Sequence, residues 1–454
     1  MPRAILKSVS RKKLDAQVVN RPTPSCAISS GESAALFAPF NKFFGDRKAM
    51  AIAVSGGADS MALCLLADEW ARAKGHQIIA LTVDHGLRVG TKEEGLKIAN
   101  WLSDRGVAHH ILTWQGTKPM TGIQAAARNA RYKLLVNWCT DNNITGFMTA
   151  HHLEDQVETF LLRAERGSGL NGLASMNTLT NINGVVLMRP LLRITKSRLY
   201  ASLTQRGQSW VEDPSNQNPA YRRTKMRKLV VELETQGLTP QKISDLISHF
   251  AGLRRKFADV VAVFFDRAVR VLPVGYGVVH LDILQRLPDP ILERVLVHLT
   301  SILGGKKYPP RRDRLKRAMK NIKSDRILGF TLGGCRFIVK GHSIMICRDQ
   351  RAISTQKVCV GSALNWDGLF FIEISGVAGM TANLSALGKK GWLEIVHKSP
   401  ELKRNSIPYE VRVTLPSLID AQGVVEVPGL GYRRDGKAKL NLTVSKLQYG
   451  MFSL

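Results

Sequence analysis

The stretch Lys48–Ala67 reads KAMAIAVSGGADSMALCLLA and decides the fold of the first half of the chain. It opens with the apolar run Met50–Val54, continues through the turn Ser55–Ser60 and ends with apolar residues at helical spacing. A short apolar run closed by glycines is typical of a buried parallel strand, and the later spacing is typical of a helix. We therefore predict a strand, a glycine-rich turn and a helix in direct succession.

The turn in this stretch has the composition of a phosphate site. Consecutive backbone N–H groups in a glycine-rich turn, together with the positive end of the following helix dipole, form a concavity that binds anions. Glycine allows close approach of a ligand, hydroxyls add donors, and a carboxylate can hold a cation. The Gly-Lys-Ser/Thr ending of a Walker A loop is missing. We expect nucleotide phosphates to bind at six residues: Ser55, Gly56, Gly57, Ala58, Asp59 and Ser60.

Strand and helix patterns alternate from this turn to residue 150. Apolar strand patterns occur at residues 78–83, 109–113 and 146–150, and helical patterns occur at about 91–105 and 123–142. Such alternation predicts an α/β fold with a doubly wound parallel sheet, in which ligands bind at the carboxyl ends of the strands. Polar clusters follow these strands, so we expect the functional site at that edge of the sheet.

The last of these strands runs directly into the sequence HHLEDQVETFLLR, residues 151–163. If a helix begins at His151, then Asp155 and Glu158 lie on the same face as that histidine. Such carboxylates suit Mg²⁺ held between acidic oxygens and ATP phosphates, with Asp59 and Asp155 as its ligands. Asp155 could equally take a proton from an attacking amine. The alternatives are a solvent-exposed capped helix and a zinc site, which is a poor match because no cysteine partners the histidines.

Charge and cysteine content restrict the function further. The chain has 65 Lys and Arg against 36 Asp and Glu, a formal charge of +29, which favours a polyanion such as RNA or DNA as partner, although a membrane surface would attract the same charge. Six scattered cysteines without a CxxC pair argue against disulfides and against zinc or iron–sulfur sites. No apolar run approaches the ~20 residues that span a bilayer. We therefore expect a cytoplasmic protein without a membrane partner.

Residues 1–45 form a basic N-terminal extension before the first strand. Basic residues outnumber acidic ones there, and the apolar centre of a secretory signal is missing. An organelle transit peptide has a similar composition, but we favour a flexible basic arm. The sequence pattern of residues 32–44 predicts a helix that caps the first domain.

Six ordered motifs resemble those of the bacterial tRNA(Ile)-lysidine synthetases, a family of N-type ATP pyrophosphatases. They occur between about residues 47 and 230 and read SGGADS (55–60), ARNARYKLL (127–135), HHLEDQVET (151–159), RAERGSGLNGLASM (163–176), RPLL (189–192) and EDPSN (212–216). The resemblance implies that ATP adenylates O2 of the wobble cytidine in a CAU-anticodon isoleucine tRNA, with release of diphosphate. The side-chain amine of lysine then displaces AMP at C2, and the product is lysidine.

The resemblance also implies roles for residues of this chain. The turn 55–60 would hold the phosphates, and Asp59 would act with Mg²⁺. Asp155 and Glu158 would serve the metal or the lysine amine, and Arg128 and Arg131 would serve the phosphates or the substrate.

The last motif departs from the family pattern. Residues 213–227 would meet RNA or shape the site, but the family usually shows Tyr-x-Arg-Asn-x-x-Arg, and Thr224 stands here in place of the asparagine. The proline-leucine pair that commonly follows is also missing, which leaves the role of Thr224 open.

Composition changes along the rest of the chain and suggests further domains. We assign residues 46–235 to the catalytic domain, 236–325 to a helical middle domain and 326–454 to a small β-containing module, the last two contacting tRNA. A helix starting at Pro240 is predicted, with others at about 252–270, 289–303 and 310–322. The last carries a run of six basic residues: Arg311, Arg312, Arg314, Lys316, Arg317 and Lys320. Such a run is usually a solvated face, but we favour contact with the RNA backbone.

We predict an ATP-dependent tRNA-modifying ligase that uses ATP and Mg²⁺ and takes tRNA(Ile) and free L-lysine as partners. The first alternative is a tRNA thiolase, but Cys64 and Cys139 fall inside predicted helices and are poor sulfur carriers. A glutamine-dependent synthetase would need a glutaminase half, which we do not recognise. The alternative from another class is a non-enzymatic RNA-binding protein on a degenerate nucleotide fold. The sequence leaves monomer and dimer open.

Overall fold

The computed structural model describes residues 26–86, 91–116, 118–119, 121–212, 222–306, 308–324, 326–377, 379, 381–434 and 440–446. The chain divides between Arg255 and Lys256 into two compact units. In the residues described, no helix is both long and apolar enough to span a membrane. Most of the basic extension and the motif residues 213–221 lie outside the described residues, as do the side chains of residues 222–225.

Strands and helices alternate through the first unit. Its strands are β1 (Ala49–Ala53), β2 (Gln77–Asp84), β3 (Ala108–Thr113), β4 (Gly146–Met148), β5 (Leu179–Ile182) and β6 (Val185–Met188). Its helices are α1 (Ser30–Phe37), α2 (Ala58–Arg72), α3 (Thr91–Ser103), α4 (Ile123–Asp141), α5 (Leu153–Glu165), α6 (Leu170–Leu173), α7 (Lys196–Gln205) and α8 (Arg222–Thr235), followed by the start of α9 (Pro240–Ala268). A 3₁₀ helix, Ala38–Phe43, extends α1, so the predicted helix at 32–44 is present in two parts.

The six strands form one sheet in the order β3-β2-β1-β4-β6-β5, in which only β5 runs antiparallel to its neighbour. Strand β1 is apolar throughout because both faces of the sheet are covered. Met50 and Ile52 belong to a core that includes residues of α2, α3 and α7, whereas Ala49 and Ala51 belong to the core under α4. The doubly wound α/β fold predicted for this part of the chain is therefore confirmed.

The second unit is a mixed α/β region. Its helices after α9 are α10 (Leu281–Arg286), α11 (Asp289–Gly304), α12 (Arg312–Ile322), α13 (Gly388–Lys398) and α14 (Tyr409–Arg412). Its strands are β7 (Val269–Leu272), β8 (Tyr276–His280), β9 (Phe330–Leu332), β10 (Cys335–Lys340), β11 (Ser343–Arg348), β12 (Gln356–Cys359), β13 (Ala363–Trp366), β14 (Phe370–Gly376), β15 (Thr381–Ala386), β16 (Pro416–Asp420), β17 (Gly423–Val427), β18 (Tyr432–Arg433) and β19 (Leu440–Lys446).

The sheets of this unit connect segments that are far apart in sequence. One has the order β7-β8-β11-β10-β9, a second the order β12-β15-β16-β17-β18, and a third the order β13-β14-β19. The first sheet includes strands from both sides of residue 325, so it crosses the boundary expected there. The predicted helical stretch 236–325 also contains the hairpin β7–β8, and the two helices predicted between 240 and 270 are one continuous helix, α9.

Candidate active site

The turn between β1 and α2 is held by its own side chains. Ser60 Oγ accepts a hydrogen bond from the Ser55 N–H (3.1 Å) and donates one to the Gly57 carbonyl (2.9 Å). Helix α2 begins at Ala58 with Gly57 as its N-cap. The first N–H groups of a helix have no acceptor within it, and the dipole places partial positive charge at the same end. The turn therefore has the geometry of an anion site.

The two glycines of the turn play different parts. Gly56 has φ of +81°, and a Cβ built on it would lie 2.5 Å from Ile98 Cδ1. Its carbonyl also accepts a hydrogen bond from the Val211 N–H (2.9 Å). Gly57 has φ of −69°, and its nearest neighbour to a Cβ would be Ser55 Oγ at 3.7 Å. Only Gly56 is therefore required to be glycine by the fold itself.

A cavity of about 260 Å³ opens beside this turn, at the carboxyl ends of β1, β2 and β4. Its floor is apolar, with Ala53, Leu81 and Val83 from the strands. Six of the residues predicted for the site line it together: Ser55, Asp59, Ser60, Arg128, Arg131 and Asp155. Asp59 and Asp155 thus share one cleft, although they come from the first turns of two different helices, α2 and α5.

A buried histidine lies between these two aspartates. His152 Nε2 is 3.5 Å from Asp59 Oδ2 and 3.6 Å from Asp155 Oδ2, and Nδ1 is 2.8 Å from Glu154 Oε2. Burial alone would lower the pKa of His152, but the hydrogen bonds to Asp59 and Glu154 and the nearby charge of Asp155 outweigh it and raise the pKa to about 10. His152 is therefore a cation at neutral pH.

The environment of Asp59 keeps its carboxylate ionised. Burial would raise the pKa of Asp59, but the hydrogen bond from His152 and the charges of His152, Lys196 and Arg227 outweigh it and lower the pKa. Lys196 Nζ is 3.8 Å from Asp59 Oδ2. Asp59 Oδ1, in contrast, is buried without a hydrogen-bond partner in the described part of the chain. An unpartnered buried carboxylate oxygen is what a ligand or cation would satisfy.

Two arginines of α4 supply positive charge to the same cavity. The Arg128 guanidinium lies 5.1 Å from the centre of the Tyr132 ring, and Arg131 Nη2 donates a hydrogen bond to His85 Nε2 (3.3 Å). Burial and the charge of Arg131 lower the pKa of His85, which keeps its ring neutral and able to accept that bond. Both arginines are thus positioned by aromatic neighbours.

Gly56, Gly57 and Ala58 belong to the turn but do not line this cavity, and Glu158, the remaining catalytic candidate, lies in a neighbouring cavity of about 590 Å³. Its side chain is only 4% exposed, and Oε1 accepts a hydrogen bond from Arg227 Nε on α8 (2.7 Å). Oε2 is buried without a hydrogen-bond partner among the described residues. The walls of this cavity combine charged and apolar side chains, among them His152, Glu154, Glu158, Lys196, Arg227, Val230, Val231 and Glu234. This combination suits a small molecule that carries both an ammonium and a carboxylate group.

The histidine pair takes a different position from the one expected of a helix beginning at His151. Helix α5 begins at Leu153, and His152 is its N-cap. The Asp155 carboxylate, at the third helical position, accepts a hydrogen bond from the His152 N–H (3.2 Å), as acidic residues in a first turn commonly do. His151 precedes the helix and hydrogen-bonds through Nδ1 to Thr149 Oγ1 (2.9 Å).

In the part of the chain that is described, no group of three His, Cys, Asp or Glu side chains could hold a metal ion.

Two features of the site escaped the sequence analysis, His152 as a bridge between carboxylates and Lys196. Arg227 belongs to the stretch 213–227 that was expected to meet RNA or shape the site, but its partner Glu158 was not predicted. Lys196 begins α7 and its N–H donates to the Glu154 carboxylate (3.1 Å), whereas Arg227 meets Glu158 across 69 positions of sequence. The one local signal was the pair Thr195-Lys196 at the start of a helical pattern. The pairing itself depends on tertiary packing.

Comparison with known proteins fits this geometry. A PP-loop domain model matches residues 32–234. The tRNA(Ile)-lysidine synthase of Wolbachia pipientis wMel is 34% identical over 84% of this chain and 89% of that relative. That of Ruegeria pomeroyi is 33% identical over 86% of this chain and 91% of the relative. This chain belongs to the tRNA(Ile)-lysidine synthase family.

Membership of the family confirms the prediction of an ATP-dependent tRNA-modifying ligase. The residues matched by the PP-loop domain model include the SGGADS turn. Among solved structures, a U34-tRNA thiolase from Methanococcus maripaludis aligns with 49% of this chain and 78% of its own, at 16% identity and a TM-score of 0.41. That similarity is too low to add to the argument.

Proposed function

We propose that this chain ligates free L-lysine to C2 of the wobble cytidine of a CAU-anticodon tRNA(Ile), through an adenylated tRNA. In the first step the cytidine O2 attacks the α-phosphate of ATP and diphosphate leaves. In the second, the lysine side-chain amine forms a bond to C2, AMP leaves and the amine loses a proton. The products are lysidine, AMP and diphosphate. The observation that carries the proposal is the pair of adjoining cavities, one beside the PP-loop turn and one holding Glu158 and Arg227.

The first cavity suits the adenylation step. The N–H groups at the start of α2 and the guanidinium groups of Arg128 and Arg131 would bind the phosphates and stabilise the charge that develops as diphosphate leaves. The apolar floor formed by Ala53, Leu81 and Val83 would take the adenine.

Two carboxylates of this cavity fit Mg²⁺. Asp59 Oδ1 is buried and unpartnered among the described residues, and Asp155 lines the same wall. Mg²⁺ is usually held by one or two carboxylates and by substrate phosphates, and it keeps several waters, so a third protein ligand is not needed. Bound there by Asp59 and Asp155, the metal would neutralise phosphate charge.

The second cavity suits lysine. The unpartnered Glu158 Oε2 would accept a hydrogen bond from an ammonium group, and Arg227 or Lys196 would pair with the lysine carboxylate. His152 lines this cavity and also contacts Asp59 and Asp155 of the first one, so the two sites adjoin at the start of α5. Asp155 is placed to accept the proton that the attacking amine loses.

The buried cysteines argue against the thiolase alternative. Burial raises the pKa of Cys64 and of Cys139 to about 12, so neither forms the thiolate that sulfur transfer needs. Of the other described cysteines, Cys335 and Cys347 are also buried. In the described residues, the walls of both cavities contain no cysteine.

The proposal is tested by mass spectrometry of tRNA nucleosides after incubation with ATP, lysine and unmodified tRNA(Ile). Lysidine formation should be lost on omission of lysine or ATP. Asp59→Asn should reduce diphosphate release by about 10²–10³-fold, the cost of removing one electrostatic contact to a reacting group. Asp46→Asn, which neutralises an exposed aspartate of the same unit, is the matched control and should leave the rate unchanged.

Two results would contradict the proposal. Absence of lysidine from the wild-type reaction would show that the chain does not have the proposed activity. Undiminished diphosphate release from Asp59→Asn, with tRNA present, would remove Asp59 from the adenylation step. Tryptophan fluorescence unfolding in urea, compared between the two variants, separates loss of chemistry from loss of folding.

A further inference from the structure

Four arginines gather where α5 ends. Arg163 lies in the last turn of α5 and Arg166 is its C-cap, whereas Arg254 and Arg255 lie in α9. Burial and the charge of Arg166 lower the pKa of Arg163, and burial together with the charges of Arg163 and Arg255 lowers that of Arg254. Arg166, Arg163, Arg254 and Arg255 are therefore linked in that order by electrostatic interaction between neighbouring members, and we call them the arginine cluster.

The inner pair of the cluster also holds the adjoining loop, residues 166–176. Arg163 Nη1 donates hydrogen bonds to the carbonyls of Gly172 and Ser175 (both 3.0 Å), and Arg254 donates to the Asn177 side chain. The outer pair, Arg166 and Arg255, is exposed. In the portion of the chain described here, none of the four arginines forms an ion pair with a carboxylate. Among the described residues, the repulsion within the cluster is thus not offset by an ion pair.

The loop beside the cluster is preorganised. Gln156 of α5 bonds to Met176 at both ends of its amide, accepting from the N–H (2.8 Å) and donating to the carbonyl (3.0 Å). Gly172 packs so closely that a Cβ on it would lie 2.5 Å from Ser168 Cβ. A loop whose backbone is fixed in this way has one arrangement before any ligand binds, which lowers the entropic cost of binding.

Arg163 lies on the same helix as Asp155 of the first cavity and Glu158 of the second. Arg163 follows Asp155 by eight residues, which corresponds to about 12 Å along α5 at a rise of about 1.5 Å per residue. A base that reacts at Asp155 and is held by its own polynucleotide strand would therefore place neighbouring phosphates near the cluster. Arginines at this distance are suited to bind a phosphate backbone, because contacts of Lys and Arg with phosphates supply affinity and position the nucleic acid.

We propose that the arginine cluster, Arg163, Arg166, Arg254 and Arg255, binds phosphates of the anticodon arm next to the nucleotide being modified. This inference rests on the proposed function, because it takes the reacting nucleotide to lie at Asp155. The cluster fixes the RNA strand relative to the two cavities and adds affinity without reading base identity.

The test uses Arg166→Gln/Arg255→Gln in the full chain, because these exposed residues do not hold the loop. Arg47→Gln/Lys74→Gln is the matched control, since it removes two exposed positive charges flanking the amino ends of β1 and β2, at the opposite edge of the sheet. Binding of fluorescent full-length tRNA(Ile) and of an isolated anticodon stem–loop is measured by anisotropy over a salt series. Binding is read without ATP or lysine, so it does not depend on the ligation reaction.

We expect the cluster variant to bind both RNAs about tenfold more weakly than wild type and to lose about 1.5 from the slope of log affinity against log salt, at about 0.7–0.9 per phosphate contact. The control should match wild type, and Arg166→Lys/Arg255→Lys should restore the slope. Unchanged affinity and slope, or a loss seen with full-length tRNA but not with the stem–loop, would overturn the inference. Absence of lysidine formation by wild-type protein would instead overturn the proposed function.

Discussion

Replacement of Gly56 by alanine tests whether folding of the PP-loop turn requires glycine at this position. At φ of +81°, a left-handed conformation costs an L-residue about 1–2 kcal/mol. The added Cβ would lie 2.5 Å from Ile98 Cδ1 and 2.9 Å from Ile98 Cγ1, and an off-rotamer Ile98 costs about 0.5–1.5 kcal/mol more. We therefore expect Gly56→Ala to reduce the free energy of unfolding by about 1.5–3.5 kcal/mol, the sum of these two costs.

Gly57→Ala is the control from the adjacent position. Its φ of −69° is open to any residue and its Cβ would meet Ser55 Oγ at an ordinary 3.7 Å, so we expect the free energy of unfolding to stay within about 0.5 kcal/mol of wild type. The assay is urea unfolding followed by tryptophan fluorescence, because five of the seven tryptophans lie in the first unit. At about 1–3 kcal/mol per molar urea, this loss should lower the midpoint of Gly56→Ala by at least about 0.5 M.

Ile98→Ala tests whether contact with Ile98 causes part of the stability loss of Gly56→Ala. This substitution destabilises on its own because Ile98 is 2% exposed, but it also removes the atoms that a Cβ at position 56 would meet. The double variant should therefore lose less than the sum of the single variants, by about 1 kcal/mol. Equal midpoints for Gly56→Ala and Gly57→Ala would refute the reasoning, and strict additivity with Ile98→Ala would refute the contribution of the close contact.

Two further predictions concern the second cavity and the basic helix α12. Glu158→Gln should raise KM for lysine at least tenfold while diphosphate release in the presence of ATP and tRNA stays within twofold, and a loss of diphosphate release would instead place Glu158 in the first step. Neutralising Arg311, Arg312 and Arg314 together should weaken tRNA binding and flatten its salt slope by about 2–3, at about 0.9 per duplex phosphate contact. Arg351→Gln, which removes an exposed arginine paired with Asp349, is the control. An unaltered slope would show that the basic face of α12 is solvated and does not contact RNA.

Much of the first unit could be predicted from sequence because its strands are buried on both faces. Strands β1, β2 and β4 are apolar runs whose alternate side chains enter two different cores, and the turn after β1 carries its own glycine signal. The hairpin β5–β6 was missed although Asn183-Gly184 links its strands, with φ of 51° and 90°, the pair that a tight hairpin turn favours.

The elements missed in the second unit depend on contacts between distant segments. Strand β8 pairs with β11, and residues 277–280 meet residues 343–346 across more than 60 positions of sequence. Helix α9 was predicted as two helices, the second starting near Gly252, which lies inside the continuous helix. Nothing local to either segment specifies its partner, so propensity and periodicity could not resolve them.

Helix α5 marks the limit of sequence reasoning at the site itself. Asp155 and Glu158 are three residues apart, and helical spacing correctly places them on neighbouring parts of one surface. Asp155 nevertheless lines the cavity of the PP-loop turn, whereas Glu158 faces Arg227 in the other cavity, because α8 packs beside α5 only in the folded chain. A motif that appears as one acidic cluster in sequence is therefore divided between two adjoining sites. In the proposed reaction, this division keeps the phosphate chemistry and the amine apart until the adenylated base lies between them.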